Sequence, residues 1–411
     1  MAEDLYHLEY QNLAVIAAFV FLYSLLATRL ERTRINGALV YVLVGFLCSN
    51  YVFNLIDIRI GGEGLKTLAE LTLALVLFTD SANTNLSTLR RFETIPIRLL
   101  LGGLPLTIAM GIGVGCLIFG DLAFFEIALL ATMLAPTDAA LGKPVVTNPQ
   151  VPDSIRESLN VESGLNDGIC VPVLLFFLAL AVGDTESGQA AGLMARLTLQ
   201  AIGIGLAVGI IGGSVGSRMV AFFARRNWVA GTWLQLPVIA LALLCFASAQ
   251  WLGGSGFIAC FVGGLLFGGM AKRDKQQFLD AAEGIGDALA LVTWFVFGAA
   301  AIGLTWHQLT WQIFAYALLC LTVVRIIPVF ICLFGTKLKF ETKLFIGWFG
   351  PRGLASIVFI VLVQDKSLPG SGILVTTVTW TILLSVLLHG LSANPLSRFY
   401  GTRIDQAGGK I

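Results

Sequence analysis

About thirteen apolar segments, each near 20 residues long, divide this chain at clusters of polar and charged side chains. A helix needs about 20 apolar residues to cross the roughly 30 Å hydrocarbon core of a bilayer. Only 12% of the 411 residues are charged, whereas soluble domains carry roughly 25%. The pattern therefore predicts an all-α integral membrane protein and excludes a soluble one. The predicted spans cover residues 12–28, 35–53, 65–82, 96–119, 123–142, 155–182, 190–220, 232–252, 254–271, 279–303, 310–334, 343–364 and 373–394.

Lysine and arginine are distributed unevenly between the two sets of loops, with roughly 20 on one side and about 4 on the other. Arg90, Arg91, Arg225 and Arg226 all fall on the richer side, which the positive-inside rule places in the cytoplasm. We therefore expect the N-terminus outside and the C-terminus inside, with lipid around the spans. The acidic, polar start MAEDLYHLEYQN predicts that the first span is not a cleaved signal peptide. A net charge of +1 gives no field to hold nucleic acid, so none is expected as a partner.

An odd number of spans places spans one to six and eight to thirteen in opposite senses, with the seventh as a connector. This layout predicts an inverted repeat, in which residues 12–220 form the first repeat with the connector and residues 232–394 form the second. The fifth span of each half, which is the fifth and the twelfth of the chain, contains a proline, Pro136 or Pro351. Proline removes a backbone donor and clashes with the preceding turn, so we expect both helices to be broken near mid-membrane. Broken helices of this kind expose carbonyls and helix ends to a ligand.

Carboxylates and hydroxyls lie at and beside the first break. Helical spacing places Ser163 above Asp167 on one face of span six, Asp138 follows Pro136, and Asp80 ends the apolar part of span three. Oxygen atoms of Asp138, Asp167, Ser163, the Thr137 backbone and Asp80 would suit a hard monovalent cation.

A poorly solvated carboxylate also binds protons readily, so protons and cations compete for it, and this competition predicts antiport. Each of Asp80, Asp138 and Asp167 also has a structural interpretation, as half of a buried ion pair. Asp80 in addition lies near the inner end of its span, where water would solvate it.

Two arginines, Arg325 and Arg352, fall within spans and belong to no loop. Because arginine remains charged and suits buried pairs, we interpret Glu162 and Arg325 as a structural pair. Arg352 lies in the second break, where a fixed charge compensates the dipoles of half-helices.

The stretch LAPTDAALGKPVVTNPQVPDSIRESLNVESGLNDGI, with LVLFTDSANTNL before it and WFGPRGLASIVF after it, resembles prokaryotic cation/proton antiporters of the NhaP/NHE branch. The resemblance implies an inverted-repeat, NhaA-like antiporter fold and a homodimer in the cell membrane, acting in pH homeostasis without a cofactor. It also implies a core bundle of residues 96–182 and 310–394 that moves against a dimerisation domain of residues 12–82 and 232–303.

The same resemblance implies that Thr137, Asp138, Ser163 and Asp167 surround a transported Na⁺, or Li⁺ or K⁺ in its place. Many relatives carry Glu at the position of Asp80, so direct coordination by this shorter side chain stays open.

Four further positions match supporting residues of that family. Asn166 stands where electrogenic relatives carry a second Asp, which implies exchange of one cation for one proton. Glu162 and Arg325 match a stabilising buried pair, and Arg352 matches a second intramembrane arginine. Lys143 is interpreted only as a charge at the inner surface.

The sequence is compatible with three alternatives to a sodium/proton antiporter, to different degrees. A potassium/proton antiporter, or one of mixed specificity, is the runner-up, because nothing in the set of ligands fixes the cavity size. An intramembrane protease is a remote alternative, based on the motifs at 284–287 and 253–256 around Asp287 and Ser255, which lack the partner segments such enzymes need. A passive channel would use rings of ligands from symmetric subunits, whereas this pattern is asymmetric.

Overall fold

The computed structural model describes residues 2–31, 36–58, 63–84, 94–138, 141, 143–146, 148–186, 188–270, 275–364, 366 and 368–406. Every regular element in these ranges is helical, apart from one isolated bridge between Ser49 and Ile56. The all-α prediction is therefore confirmed. Arg90 and Arg91, on which the predicted orientation partly depends, lie outside the described residues, as does the side chain of Lys143.

Seven helices of the described ranges are long and apolar enough to cross a membrane, and five shorter apolar helices accompany them. The first nine helices are α1 (Ala2–Glu31), α2 (Gly37–Cys48), α3 (Glu63–Asn83), α4 (Thr94–Arg98), α5 (Leu104–Ile118), α6 (Phe124–Met133), α7 (Lys143–Val146), α8 (Asp153–Glu186) and α9 (Gly188–Arg225). The remaining nine are α10 (Leu236–Trp251), α11 (Gly256–Met270), α12 (Lys275–Phe297), α13 (Gly303–Thr305), α14 (Trp311–Leu321), α15 (Val323–Cys332), α16 (Phe340–Trp348), α17 (Leu354–Gln364) and α18 (Ser371–Gln406).

Helix ends differ from the predicted span limits where a helix continues beyond its apolar part. The helix α1 begins at Ala2 and α18 extends to Gln406, although the apolar segments cover only 12–28 and 373–394. Hydropathy marks the part of a helix in the bilayer, whereas backbone hydrogen bonds carry the helix further into polar sequence. Short π-helical turns at Leu99–Gly103 and Gly298–Ile302 join α4 to α5 and α12 to α13.

The predicted span 310–334 is interrupted at Thr322, which has a backbone ψ of −89° and separates α14 from α15. Pro328 lies one turn and a half further on and cannot donate to the carbonyl of Val324, so α15 lacks one internal hydrogen bond. This interruption of the helix lies three residues before Arg325, in addition to the two interruptions predicted at Pro136 and Pro351.

The helices that position the candidate site pack closely around α8. A methyl group placed on Gly164 of α8 would lie 3.5 Å from the carbonyl oxygen of Asp80 on α3. Small residues of this kind allow helix backbones to approach each other. The same principle explains the glycine-rich α9, where Gly213 would collide with the backbone of Gly263 if it carried a side chain.

Candidate functional site

The helix α6 ends at Met133, and residues 135–138 after it are not helical. Pro136 cannot continue a helix, and the last carbonyls of α6 therefore have no intrahelical donor. Side chains from the second half of the chain donate to these carbonyls and to those of the residues that follow. The Arg352 guanidinium donates to the carbonyl of Ala135 and, at 3.2 Å, to that of Pro136, and the Ser356 hydroxyl donates to the carbonyl of Met133 at 2.6 Å.

The second interruption lies between α16, which ends at Trp348, and α17, which begins at Leu354. The Leu354 amide donates to Oδ2 of Asp138 at 2.9 Å, and the Asp138 amide donates to the carbonyl of Pro351 at 2.8 Å. A side chain on Gly353 would overlap the Asp138 carboxylate. Asp138 thus caps the N-terminus of α17, where a negative charge also meets the positive end of the helix dipole.

One face of α8 contacts the first interruption. The Ser163 hydroxyl donates to the carbonyl of Thr137 at 2.6 Å, and the Asn166 amide donates to the Thr137 hydroxyl at 2.6 Å. Asp167 follows one turn after Ser163. Its Oδ1 atom is buried, and within the described part of the chain no donor lies within hydrogen-bonding distance of it. A buried carboxylate oxygen without a donor favours a bound cation or proton.

Asp80 is exposed, in contrast to the other candidate ligands. Asp80 and Asp138 lie near enough to Asp167 to interact with it electrostatically. Glu283 and Asp287 of α12 also interact electrostatically with Asp80. Asp80 therefore interacts both with Asp167 and with the acidic side chains of α12.

Glu162 and Arg325 form a bidentate ion pair. The Arg325 Nη1 and Nη2 atoms lie 2.6 and 2.8 Å from the two carboxylate oxygens of Glu162, and both side chains are at most 3% exposed. A methyl group on Gly350 would lie 2.6 Å from Nε of Arg325. The pair therefore supports the second interruption directly.

A small cavity of about 20 Å³ lies among Thr137, Asp138, Ser163 and Pro351. Such a volume holds about one water molecule or one small ion. Val145, Val146, Leu159 and Phe349 complete its wall. Asp167 does not line this cavity, although it belongs to the same face of α8 as Ser163.

Sequence reasoning missed two residues of α18 that contact the second interruption. The Arg352 amide donates to Oγ of Ser385 at 2.7 Å, and Nε2 of His389 lies 2.9 Å from the carbonyl oxygen of Trp348. Proline marks the interruption in the sequence, but no local signal connects it to residues about 40 positions later.

Comparison with known proteins identifies the class of protein. The family model described as "Sodium/hydrogen exchanger, transmembrane" matches residues 15–398. The chain belongs to this family of multi-pass cation/proton antiporters.

Individual relatives are distant in sequence. The chain is 23% identical over 332 residues to "K(+)/H(+) antiporter NhaP2" of Shewanella sp. (strain MR-4), which covers 80% of this chain and 57% of that protein. It is 22% identical over 413 residues to "K(+)/H(+) antiporter NhaP" of Alkalimonas amylolytica, covering 97% of this chain and 68% of that protein. It is 23% identical over 371 residues to "Probable Na(+)/H(+) antiporter C3A11.09" of Schizosaccharomyces pombe, covering 85% of this chain and 48% of that protein. The chain thus spans little more than half the length of several curated relatives.

The solved structure of the sodium proton antiporter MjNhaP1 from Methanocaldococcus jannaschii at pH 8 matches with a TM-score of 0.75 and 19% sequence identity. The match covers 92% of this chain and 98% of the other. The two chains share a fold, so the expected antiporter fold is confirmed.

Proposed function

We propose that this protein is a secondary active antiporter that exchanges sodium or lithium for protons, one for one, by alternating access. The cation and the proton compete for Asp167. Asp138, Ser163 and Thr137 supply further oxygen ligands, and Asp80 attracts the cation at the exposed side. The side chains of Asn166, Glu162, Arg325 and Arg352 support the site.

The observation that carries this proposal is the buried Oδ1 atom of Asp167, which has no donor among the described residues. A bare carboxylate is costly to bury, so one positive ion must accompany it. If the site moves across the membrane only when Asp167 is neutralised, each movement carries either a cation or a proton. The transport of one ion is then coupled to the transport of the other. The neutral Asn166, whose amide donates to Thr137, supports a stoichiometry of one to one.

The membrane arrangement is part of the same proposal. We infer thirteen spans, in which α6 and α7 form the broken fifth span and α16 and α17 form the broken twelfth, with the two crossing each other. The core of residues 96–182 and 310–394 moves against the dimerisation domain of 12–82 and 232–303. The protein forms a homodimer in the plasma membrane, as the family resemblance implies. The distribution of basic residues supports an N-terminus outside and a C-terminus in the cytoplasm.

Potassium is the principal competing cargo, and the names of the relatives from Shewanella and Alkalimonas favour it. The small cavity beside Asp138 favours a small, dehydrated ion instead. Membership in an exchanger family argues against the protease alternative.

The test is an assay in proteoliposomes with a preset pH difference and a pH-sensitive dye. Sodium, lithium and potassium are added separately, and the wild type is expected to collapse the pH difference with sodium and lithium. Collapse by potassium alone would replace sodium with potassium as cargo, and no collapse by any of the three would refute antiport.

Variants connect the activity to the site. Asp167→Asn is expected to abolish exchange, whereas Asp153→Asn, at an exposed carboxylate on the same helix, serves as the matched control and is expected to retain it. Exchange by Asp167→Asn at a rate near that of the wild type would contradict the assignment. Exchange in wild-type vesicles is also expected to produce no current at zero pH difference, and a current proportional to the rate would overturn the stoichiometry.

A further inference from the structure

The second interruption is contacted from two sides. On one side it contacts the first interruption, through Asp138, which accepts from Leu354, and through the guanidinium of Arg352. On the other side it contacts α18, through Ser385 and His389. The two residues of α18 are one helical turn apart, so they present a single face to the interruption.

The hydrogen bonds of this face form one continuous chain. The Arg352 amide donates to Oγ of Ser385 at 2.7 Å, and this oxygen lies 3.2 Å from Nδ1 of His389. The other ring nitrogen, Nε2, lies 2.9 Å from the carbonyl oxygen of Trp348. The chain of hydrogen bonds thus joins the last carbonyl of α16 to the backbone amide of Arg352, four residues later in the non-helical segment.

The partners define the tautomer of His389. A carbonyl oxygen only accepts, so Nε2 carries the hydrogen and donates to Trp348. Nδ1 then accepts from the Ser385 hydroxyl, whose own lone pair accepts from Arg352. The alternative is a doubly protonated ring that donates from Nδ1 to the Ser385 carbonyl at 3.0 Å. His389 is 1% exposed, and an additional positive charge on a ring so deeply buried is costly.

We propose that Ser385 and His389 are positioning residues that hold the second interruption in register, so that Leu354 meets Asp138 and Arg352 meets the end of α6. The inference deepens the proposed function and rests on it for the effect on cation binding. Its structural part, the restraint of residues 349–354, does not depend on which ion is transported. Neither residue contacts the cavity beside Asp138.

The structure offers a matched control between the same two helices. Nε1 of Trp348 donates to Oγ of Ser392 at 3.0 Å, so this bond also joins α16 to α18 but does not touch the non-helical segment. Ser392→Ala therefore removes one bond of similar kind without releasing residues 349–354. His389→Gln retains a terminal amide that donates to the Trp348 carbonyl, and it serves as the conservative variant.

The first measurement is hydrogen exchange of purified, cation-free protein, followed by mass spectrometry of peptides that contain residues 349–354. Ser385→Ala and His389→Ala are expected to exchange on the order of tenfold faster there than the wild type or Ser392→Ala, because a protecting bond is lost. His389→Gln is expected to be intermediate. Equal exchange in all five proteins would overturn the inference. Should His389→Ala not fold, Ser385→Ala and His389→Gln decide the same question.

The second measurement is the sodium concentration that gives half-maximal exchange, compared with the melting temperature of each variant. In Ser385→Ala and His389→Ala, residues 349–354 would no longer hold Asp138 in position, so this concentration is expected to increase on the order of tenfold. His389→Gln is expected to restore it in part. A purely structural role would lower the melting temperature and leave the concentration within twofold of wild type, which would overturn the inference. Absence of exchange by the wild type would refute the proposed function, and hydrogen exchange would still decide the positioning role.

Discussion

Asp138 and Leu354 belong to different interrupted helices, and the Asp138 carboxylate accepts the Leu354 amide at 2.9 Å. One candidate ion ligand is therefore also the N-cap of a helix from the other half of the chain. Because an ionised carboxylate has about four lone-pair sites, the cap leaves capacity for a cation. Charge and capping at this position can be separated by substitution.

Asp138→Asn is expected to abolish exchange and to keep the melting temperature close to that of the wild type. The amide oxygen still accepts from Leu354, whereas the charge that binds the ion is lost. Asp138→Ala loses the cap as well, and is expected to be less stable by about 1 kcal/mol. Equal melting temperatures for the Asn and Ala variants would show that the cap does not stabilise the protein.

Glu162→Ala is expected to destabilise the protein by about 3–5 kcal/mol, because it leaves the buried Arg325 without its partner. The measurement is thermal unfolding in detergent, with Glu341→Ala as the control. Glu341 pairs with Arg403, but both side chains are about half exposed, so its loss is expected to cost at most about 1 kcal/mol. Melting curves that coincide for Glu162→Ala and the wild type would refute a stabilising role for the buried pair.

Gly353→Ala is expected to reduce exchange at least on the order of tenfold, because the added methyl group overlaps the Asp138 carboxylate. Gly113→Ala on α5 is the control, since a methyl group there meets open space. Transport rates at saturating and at low sodium would be compared for both variants. Normal transport by Gly353→Ala would contradict the close contact between the two interruptions.

Competition at one carboxylate predicts a definite dependence on pH. Protons occupy Asp167 more as the pH falls, so the sodium concentration for half-maximal exchange is expected to increase as the pH decreases, approaching tenfold per unit on the acid side. The maximal rate at saturating sodium is expected to vary less. Initial rates over a grid of pH and sodium test this, and a half-maximal concentration independent of pH would exclude a shared site.

The parts of the site that depend on local chemistry were predictable from the sequence. Pro136 and Pro351 predicted interruptions, and α6 and α16 end at Met133 and Trp348 shortly before them. The spacing of Ser163 and Asp167 predicted a shared face of one helix. These features require only the geometry of proline and of the α-helix.

Other features depend on contacts between distant segments and could not be predicted in this way. The capping of α17 by Asp138 joins residues 216 positions apart, and the bond from His389 to Trp348 joins residues 41 apart. The interruption at Thr322 carries no proline of its own. Such contacts require the relative placement of whole helices, which periodicity does not contain.

The reciprocal capping of the two interruptions has a consequence for biosynthesis. The carbonyl of Ala135 receives its donor from Arg352, which leaves the ribosome 217 residues later. Until then the nascent chain must hold the open end of α6 in the bilayer, where an unpaired carbonyl is costly. Insertion of the segment that carries Arg352 therefore completes a region that was translated long before, and a chain truncated ahead of Arg352 would remain a substrate for membrane quality control.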